Sequence, residues 1–154
     1  MTVSCWNING LECKINGVKA NKLHDSEVIN SLTGSDFIGL VETHADNTTD
    51  ISLKGYYVFR KDRPKHKKAW KASGGIAVFV KESLRHACKF DPLSDSDVIW
   101  VRVLKEFTNL SNDLFLAFLY LPPINSSYGK ANGADIIKKK SKNTLNSFPV
   151  REKF

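Results

Sequence analysis

Cysteine is scarce in this chain, at 3 of 154 residues, and the number is odd. Cys5, Cys13 and Cys88 share no ligand-like spacing, which argues against a structural zinc site, and an odd count argues against a closed disulfide framework; in a reducing compartment no disulfide-linked partner is expected. Long apolar runs are also missing. None approaches the roughly 18 residues of a membrane-spanning helix, so no membrane partner is expected. The N-terminus carries neither the charged head nor the long apolar core of a secretory leader. These absences point to a reducing, intracellular location. Internal repeats are absent too, which excludes a solenoid.

What is present is an ordinary globular composition, 42% hydrophobic and 25% charged, in a length suited to one domain. The net charge of +7 is concentrated in two places. Arg60, Lys61, Arg63, Lys65, Lys67, Lys68 and Lys71 face a single acid, Asp62, and give residues 60–71 a charge of +6. Residues 138–154 carry +5, which leaves the remainder at −4. A mildly acidic body with one basic loop and one basic tail has the electrostatic footprint of a polyanion binder, with nucleic acid as the natural partner. His66 and Trp70 in the same loop add groups that can bond to or stack on a nucleotide. A solvated loop that merely aids solubility is the alternative.

Two stretches have the same shape. Val3-Ser4-Cys5-Trp6 reads as a short buried strand that stops at Asn7-Ile8-Asn9-Gly10, with Cys5 as a small core residue. Residues 36–41, Asp-Phe-Ile-Gly-Leu-Val, read as a second strand, buried on both faces, that stops at Glu42-Thr43-His44. Side by side, the two strands would present Asn7 and Glu42 together at one sheet edge. An amide oxygen and a carboxylate on rigid strand ends suit a hard cation such as Mg2+, which takes oxygen ligands and keeps several waters. Taken singly, Asn7 closes a turn and Glu42 ends a strand in solvent.

Between these strands, residues 11–21 are polar with a turn at Asn16-Gly17. A short helix follows, capped by Asp25 or Ser26 and ended by Gly34, with Val28, Ile29 and Leu32 on one face. Further strands are expected over 55–60, 76–80, 98–103 and 114–120, with a weak one over 85–90. Ser73-Gly74-Gly75 implies a tight turn or close backbone approach before the fourth strand. The short polar link at 109–113 pairs the last two strands as a hairpin, and Leu121-Pro122-Pro123 ends them. A helix can begin over 134–140. Residues 141–154 lack periodicity, and 138–154 read as a basic, disordered tail. The whole is an α/β or α+β layered domain of about seven strands.

Four segments in this order, Trp6-Asn7-Ile8-Asn9-Gly10-Leu11, then 36–44, then Ser73-Gly74-Gly75-Ile76-Ala77-Val78, then Tyr120-Leu121-Pro122-Pro123, resemble the endonuclease/exonuclease/phosphatase superfamily. Within it, residues 1–137 are most similar to the endonuclease domain of non-LTR (LINE-type) retrotransposons, and more distantly to apurinic endonucleases and deoxyribonuclease I. The resemblance implies an α/β fold, a four-layer α-β-β-α sandwich of the deoxyribonuclease I type, and Mg2+-dependent phosphodiester hydrolysis of DNA. It assigns Glu42 as the metal-binding carboxylate, Asn7 as a partner of the metal or its waters, and Tyr120 as a group facing the scissile phosphate. Asn9 falls where some relatives carry an acid, and Pro123 stands where an asparagine often follows. Lys67, Lys68, Lys71 and the other cations of the basic loop would bind the DNA, which implies nuclear residence.

The family also uses a Gly-Asp-x-Asn motif and a Ser-Asp-His motif, the latter supplying the base that deprotonates water. Neither is in these 154 residues. The resemblance therefore implies an N-terminal portion of such a domain that is incomplete at its C-terminus, catalytically incomplete and poorly stable alone, since open edges and exposed apolar faces weaken a sandwich. A non-catalytic nucleic-acid-binding remnant and a fragment of a superfamily phosphatase stay open as alternatives.

Overall fold

Two apolar runs form the centre of the larger sheet. Phe37–Val41 (β4) is buried at every position, and Ile76–Lys81 (β6) is buried at all but its last. The computed structural model describes residues 1–65 and 72–122. Lys67, Lys68, Lys71, His66 and Trp70, the 134–140 helix and the 138–154 tail lie outside the described residues. Met1–Tyr120 is one compact unit, and Leu121 begins a second.

β4 pairs in parallel with Val3–Asn7 (β1) and antiparallel with β6, and β6 pairs antiparallel with Tyr56–Lys61 (β5), giving the order β1-β4-β6-β5. The parallel β1/β4 pair needs a crossover. It is supplied by the hairpin of Glu12–Ile15 (β2) and Val18–Asn21 (β3), followed by the helix Ser26–Leu32 (α1). Asp25 caps α1, its Oδ1 accepting from Glu27 N at 2.8 Å and Val28 N at 3.4 Å. Leu32, with Val28 and Ile29, packs on Ile38, Leu40, Ala77 and Phe79 of one sheet face.

The opposite face carries Phe37, Val41, Ile76, Val78 and Val80. Against it packs a second antiparallel sheet of Cys88–Phe90 (β7), Val98–Val103 (β8) and Leu114–Leu119 (β9). Ile99, Val101, Val103 and Phe118 are its inward residues. Full burial of such side chains contributes about 1.5–3 kcal/mol each. Gly39 is what lets the sheets close here: a Cβ built on it would lie 2.2 Å from Phe118 Cδ1. The architecture is mixed α/β, with several sheets and few helices.

The turn expected at Asn16-Gly17 is present and joins β2 and β3 into a hairpin, with φ of +50° at Asn16 and +81° at Gly17, the left-handed pair of a type I′ loop. Three expectations are corrected. The segment before Cys88 is a 3-10 helix over Glu82–Ala87, so the weak strand is cut to three residues. Cys5 is exposed rather than in the core. The first strand, expected to be buried, is largely exposed: among the described residues β1 has β4 as its one strand neighbour, and Val3 and Trp6 remain 49% and 43% exposed.

Candidate functional site

The parallel register sets Asn7 opposite Val41, and the chain beyond each strand stays paired. Ile8 N donates to Val41 O at 3.0 Å, Gly10 N to Glu42 O at 2.7 Å and Leu11 N to Thr43 O at 2.9 Å. Asn7 Oδ1 accepts from Asn9 N at 3.0 Å, a side-chain turn that asparagine forms readily. On the other flank, Thr43 N donates to Gly75 O at 3.3 Å and His44 N to Gly74 O at 2.9 Å. The Glu42–His44 backbone is thus held between the Asn7 turn and the Gly74-Gly75 pair.

Within this clamp Glu42 has φ of +56° and His44 +50°. Left-handed backbone at non-glycine residues costs of order 1–3 kcal/mol and persists where its surroundings enforce it. The conformation turns Glu42 toward the end of β9, where Tyr120 Oη donates to Glu42 Oε1 at 2.5 Å. Tyr120 is buried, and its own N donates to Asp97 O at 3.0 Å. Burial first, then the bond to Glu42 and the carboxylate's charge, push the Tyr120 phenol up to about 12, against an opposing pull from Arg63. At neutral pH the phenol keeps its proton and is the hydrogen-bond donor to Glu42.

The structure brings Asn7, Glu42 and Tyr120 to one end of the stacked sheets, with Glu42 and Tyr120 in direct contact. Part of the basic loop is turned inward. Arg60 donates to both carboxylate oxygens of Asp62, to Thr49 O at 2.9 Å and to Asp46 O. Arg63 pairs with Asp97 Oδ1 and lies 5.4 Å from the Tyr120 ring centroid. Lys61 sits 5.5 Å over the Phe59 ring, and Lys65 is exposed.

No family model matches this sequence, and no curated protein matches it.

Sequence reasoning missed Asp97 and Thr43. Asp97 is buried at the end of the Ser94-Asp95-Ser96-Asp97 run, where Asp95 Oδ1 accepts from Asp97 N at 2.8 Å and Val98 N at 3.1 Å. The sequence shows the turn but not the arginine 34 positions away. Thr43 is 1% exposed, and its Oγ1 has no hydrogen-bond partner among the described residues. A Cβ on Gly75 would lie 2.7 Å from that oxygen, so the second glycine of the pair leaves room for Thr43.

Among the described residues no group of three or more His, Cys, Asp and Glu side chains gathers as a metal cluster. Glu42 offers one carboxylate and Asn7 one amide oxygen. Such a sparse, all-oxygen donor set fits Mg2+, which is commonly held by one or two carboxylates and completed by water and substrate phosphate.

Proposed function

We propose that this chain is the metal-and-phosphate-binding part of a Mg2+-dependent DNA phosphodiesterase, of the endonuclease/exonuclease/phosphatase superfamily and the retrotransposon endonuclease type, with that superfamily's four-layer α-β-β-α fold. The observation that carries the reading is Glu42, held in a left-handed conformation at a sheet edge beside Asn7 and bonded to Tyr120. Left-handed backbone at Asn9, Glu42 and His44 gathers at this one end of the sheet, and such conformations cluster at functional positions.

Glu42 would hold the ion, with Asn7 beside it holding the ion or one of its waters. When bound, Mg2+ neutralises phosphate charge and stabilises charge developing on the leaving oxygen. The chain's own residues orient and bind. Tyr120 fixes one carboxylate oxygen of Glu42 by its hydrogen bond, which leaves the other for the ion. Lys65, exposed in the basic loop, would meet a DNA phosphate. The 154 residues contain neither Gly-Asp-x-Asn nor Ser-Asp-His, so the base that deprotonates water is not among the residues assigned here.

Incubation of the purified chain with supercoiled plasmid, with Mg2+ and with chelator, beside Glu42→Ala, tests this. The expected result is DNA binding that weakens steeply with salt, without nicking. Mg2+-dependent nicking abolished by Glu42→Ala would contradict the catalytic incompleteness. Absence of any DNA binding by a folded chain would contradict the substrate.

A further inference from the structure

Arg63 and Asp97 form an ion pair in which the two side chains are only 9% and 6% exposed. Burying two charges is expensive unless their geometry and hydrogen bonds are good. Such a pair at the start of a basic loop therefore needs a reason beyond solubility. Its surroundings supply one. The Arg63 guanidinium lies 5.4 Å from the Tyr120 ring centroid, within the range at which a cation is attracted to a ring face. It also occupies the space that a side chain at Gly74 would fill, since a Cβ there would stand 2.5 Å from Arg63 Cζ. Asp97 holds Tyr120 twice over: its carbonyl accepts from Tyr120 N at 3.0 Å, and its carboxylate fixes the arginine that lies against the Tyr120 ring.

These contacts close a ring. Gly74 and Gly75 carbonyls accept from His44 N and Thr43 N, which fixes the backbone after Glu42. Glu42 accepts from Tyr120 Oη. Tyr120 meets Arg63 and Asp97, and Arg63 returns to the Gly74 backbone. Three further segments, at Arg63, Gly74-Gly75 and Asp97, converge on one tyrosine and one carboxylate.

We infer that Arg63 and Asp97 are positioning residues that hold the Tyr120 hydroxyl on Glu42, and that Arg63 does this in place of binding a nucleic-acid phosphate. The inference deepens the proposed function and rests on the reading of Glu42 as its binding carboxylate. A planar guanidinium suits both tasks, since it pairs with a carboxylate through a rigid fork while lying flat on an aromatic ring. Lysine can do neither as well. The Ser73-Gly74-Gly75 turn then has a definite purpose: Gly74 admits the guanidinium and Gly75 admits Thr43.

The test uses the full chain without metal or DNA, followed by proton NMR of its tyrosine hydroxyls. The wild type should show a protected hydroxyl proton for Tyr120, identified by its loss in Tyr120→Phe. Tyr56, whose hydroxyl donates to Ser35 O at 2.8 Å, is the internal control for an intact fold. In Arg63→Lys and in Asp97→Asn the Tyr120 signal should exchange at least about tenfold faster or vanish, the loss expected when a charge-assisted hydrogen bond is released, while Tyr56 is unchanged. Retention of the Tyr120 signal in Arg63→Lys overturns the inference, as does its absence from the wild type. Simultaneous loss of the Tyr56 signal in Arg63→Lys also overturns it, because the pair would then support the whole unit rather than the tyrosine.

A parallel titration of a labelled DNA duplex over a range of salt separates the two tasks for Arg63. A phosphate contact lowers the salt slope by about 1 when removed. The inference predicts no change of slope in Arg63→Gln, and a fall of that size overturns it. If the chain binds no DNA at all, the proposed function fails while the hydroxyl measurement still decides the positioning of Tyr120.

Discussion

Tyr120 and Glu42, 78 residues apart, meet through a 2.5 Å hydrogen bond from the phenol to the carboxylate at one end of the stacked sheets. Four parts of the fold make that meeting. β4 delivers Glu42, β9 delivers Tyr120, and the turn after β1 and the Gly74-Gly75 pair hold the glutamate backbone from its two sides.

The first prediction concerns the bond itself. Hydrogen bonds to charged groups contribute about 1.5–3 kcal/mol. Glu42 is only half-buried, and water can replace part of the contact. Tyr120→Phe should therefore lower stability by about 1.5 kcal/mol in urea denaturation at neutral pH. An unchanged midpoint would show that the bond contributes nothing to folding.

Alkaline pH should weaken the fold in two overlapping steps. Burial raises the Cys88 thiol from its ordinary 9.0 to about 11, and Tyr120 rises from 10.0 to about 12. For groups raised in the folded state, the neutral form is the one that folding favours. Their contribution is whole below the unfolded value and disappears as pH passes the folded value. Stability should thus fall from about pH 9 to about pH 12, and Tyr120→Phe should flatten the part above about pH 10. Urea midpoints measured across that range check both slopes.

Gly39→Ala is expected to be costly although it adds one methyl group. The new Cβ would stand 2.2 Å from Phe118 Cδ1, and both residues are buried between the sheets. Overpacking of this kind costs about 1–3 kcal/mol. Phe118→Leu in the same chain should recover part of the loss. A thermal-melting double-mutant cycle that shows simple additivity would place the strain elsewhere.

The strands legible in the sequence are those whose chemistry is local. β4 and β6 are unbroken apolar runs, and β8 and β9 are rich in branched and aromatic residues. The α1 cap at Asp25 and its apolar face were equally readable. The β2/β3 hairpin was not, because its strands are polar and mostly exposed, and only Asn16-Gly17 announces it. β1 misled in the other direction: Val3, Cys5 and Trp6 look like core residues, yet the strand pairs on one edge and stays largely exposed. At the site, the strand ends at Asn7 and Glu42 were visible. The partnership of Arg63 with Asp97 was not, since a buried ion pair across 34 residues leaves no local pattern.

That pair gives the next prediction. Removing one partner leaves a buried charge without compensation, which typically costs about 3–5 kcal/mol. Asp97→Ala should fall in that range in chemical denaturation, well beyond the loss from Arg85→Ala, whose partner Glu82 is exposed on the surface. Equal, small losses from the two variants would show that the Arg63–Asp97 pair is solvated in solution.

The most direct measurement is the DNA affinity of the chain with Mg2+ and with chelator at constant ionic strength, compared between wild type and Glu42→Ala. If Glu42 holds the ion against a DNA phosphate, Mg2+ should tighten binding of the wild type by about tenfold relative to the variant, equivalent to about 1.4 kcal/mol. An identical response to Mg2+ in both chains would contradict a metal role for Glu42 and the proposed function with it.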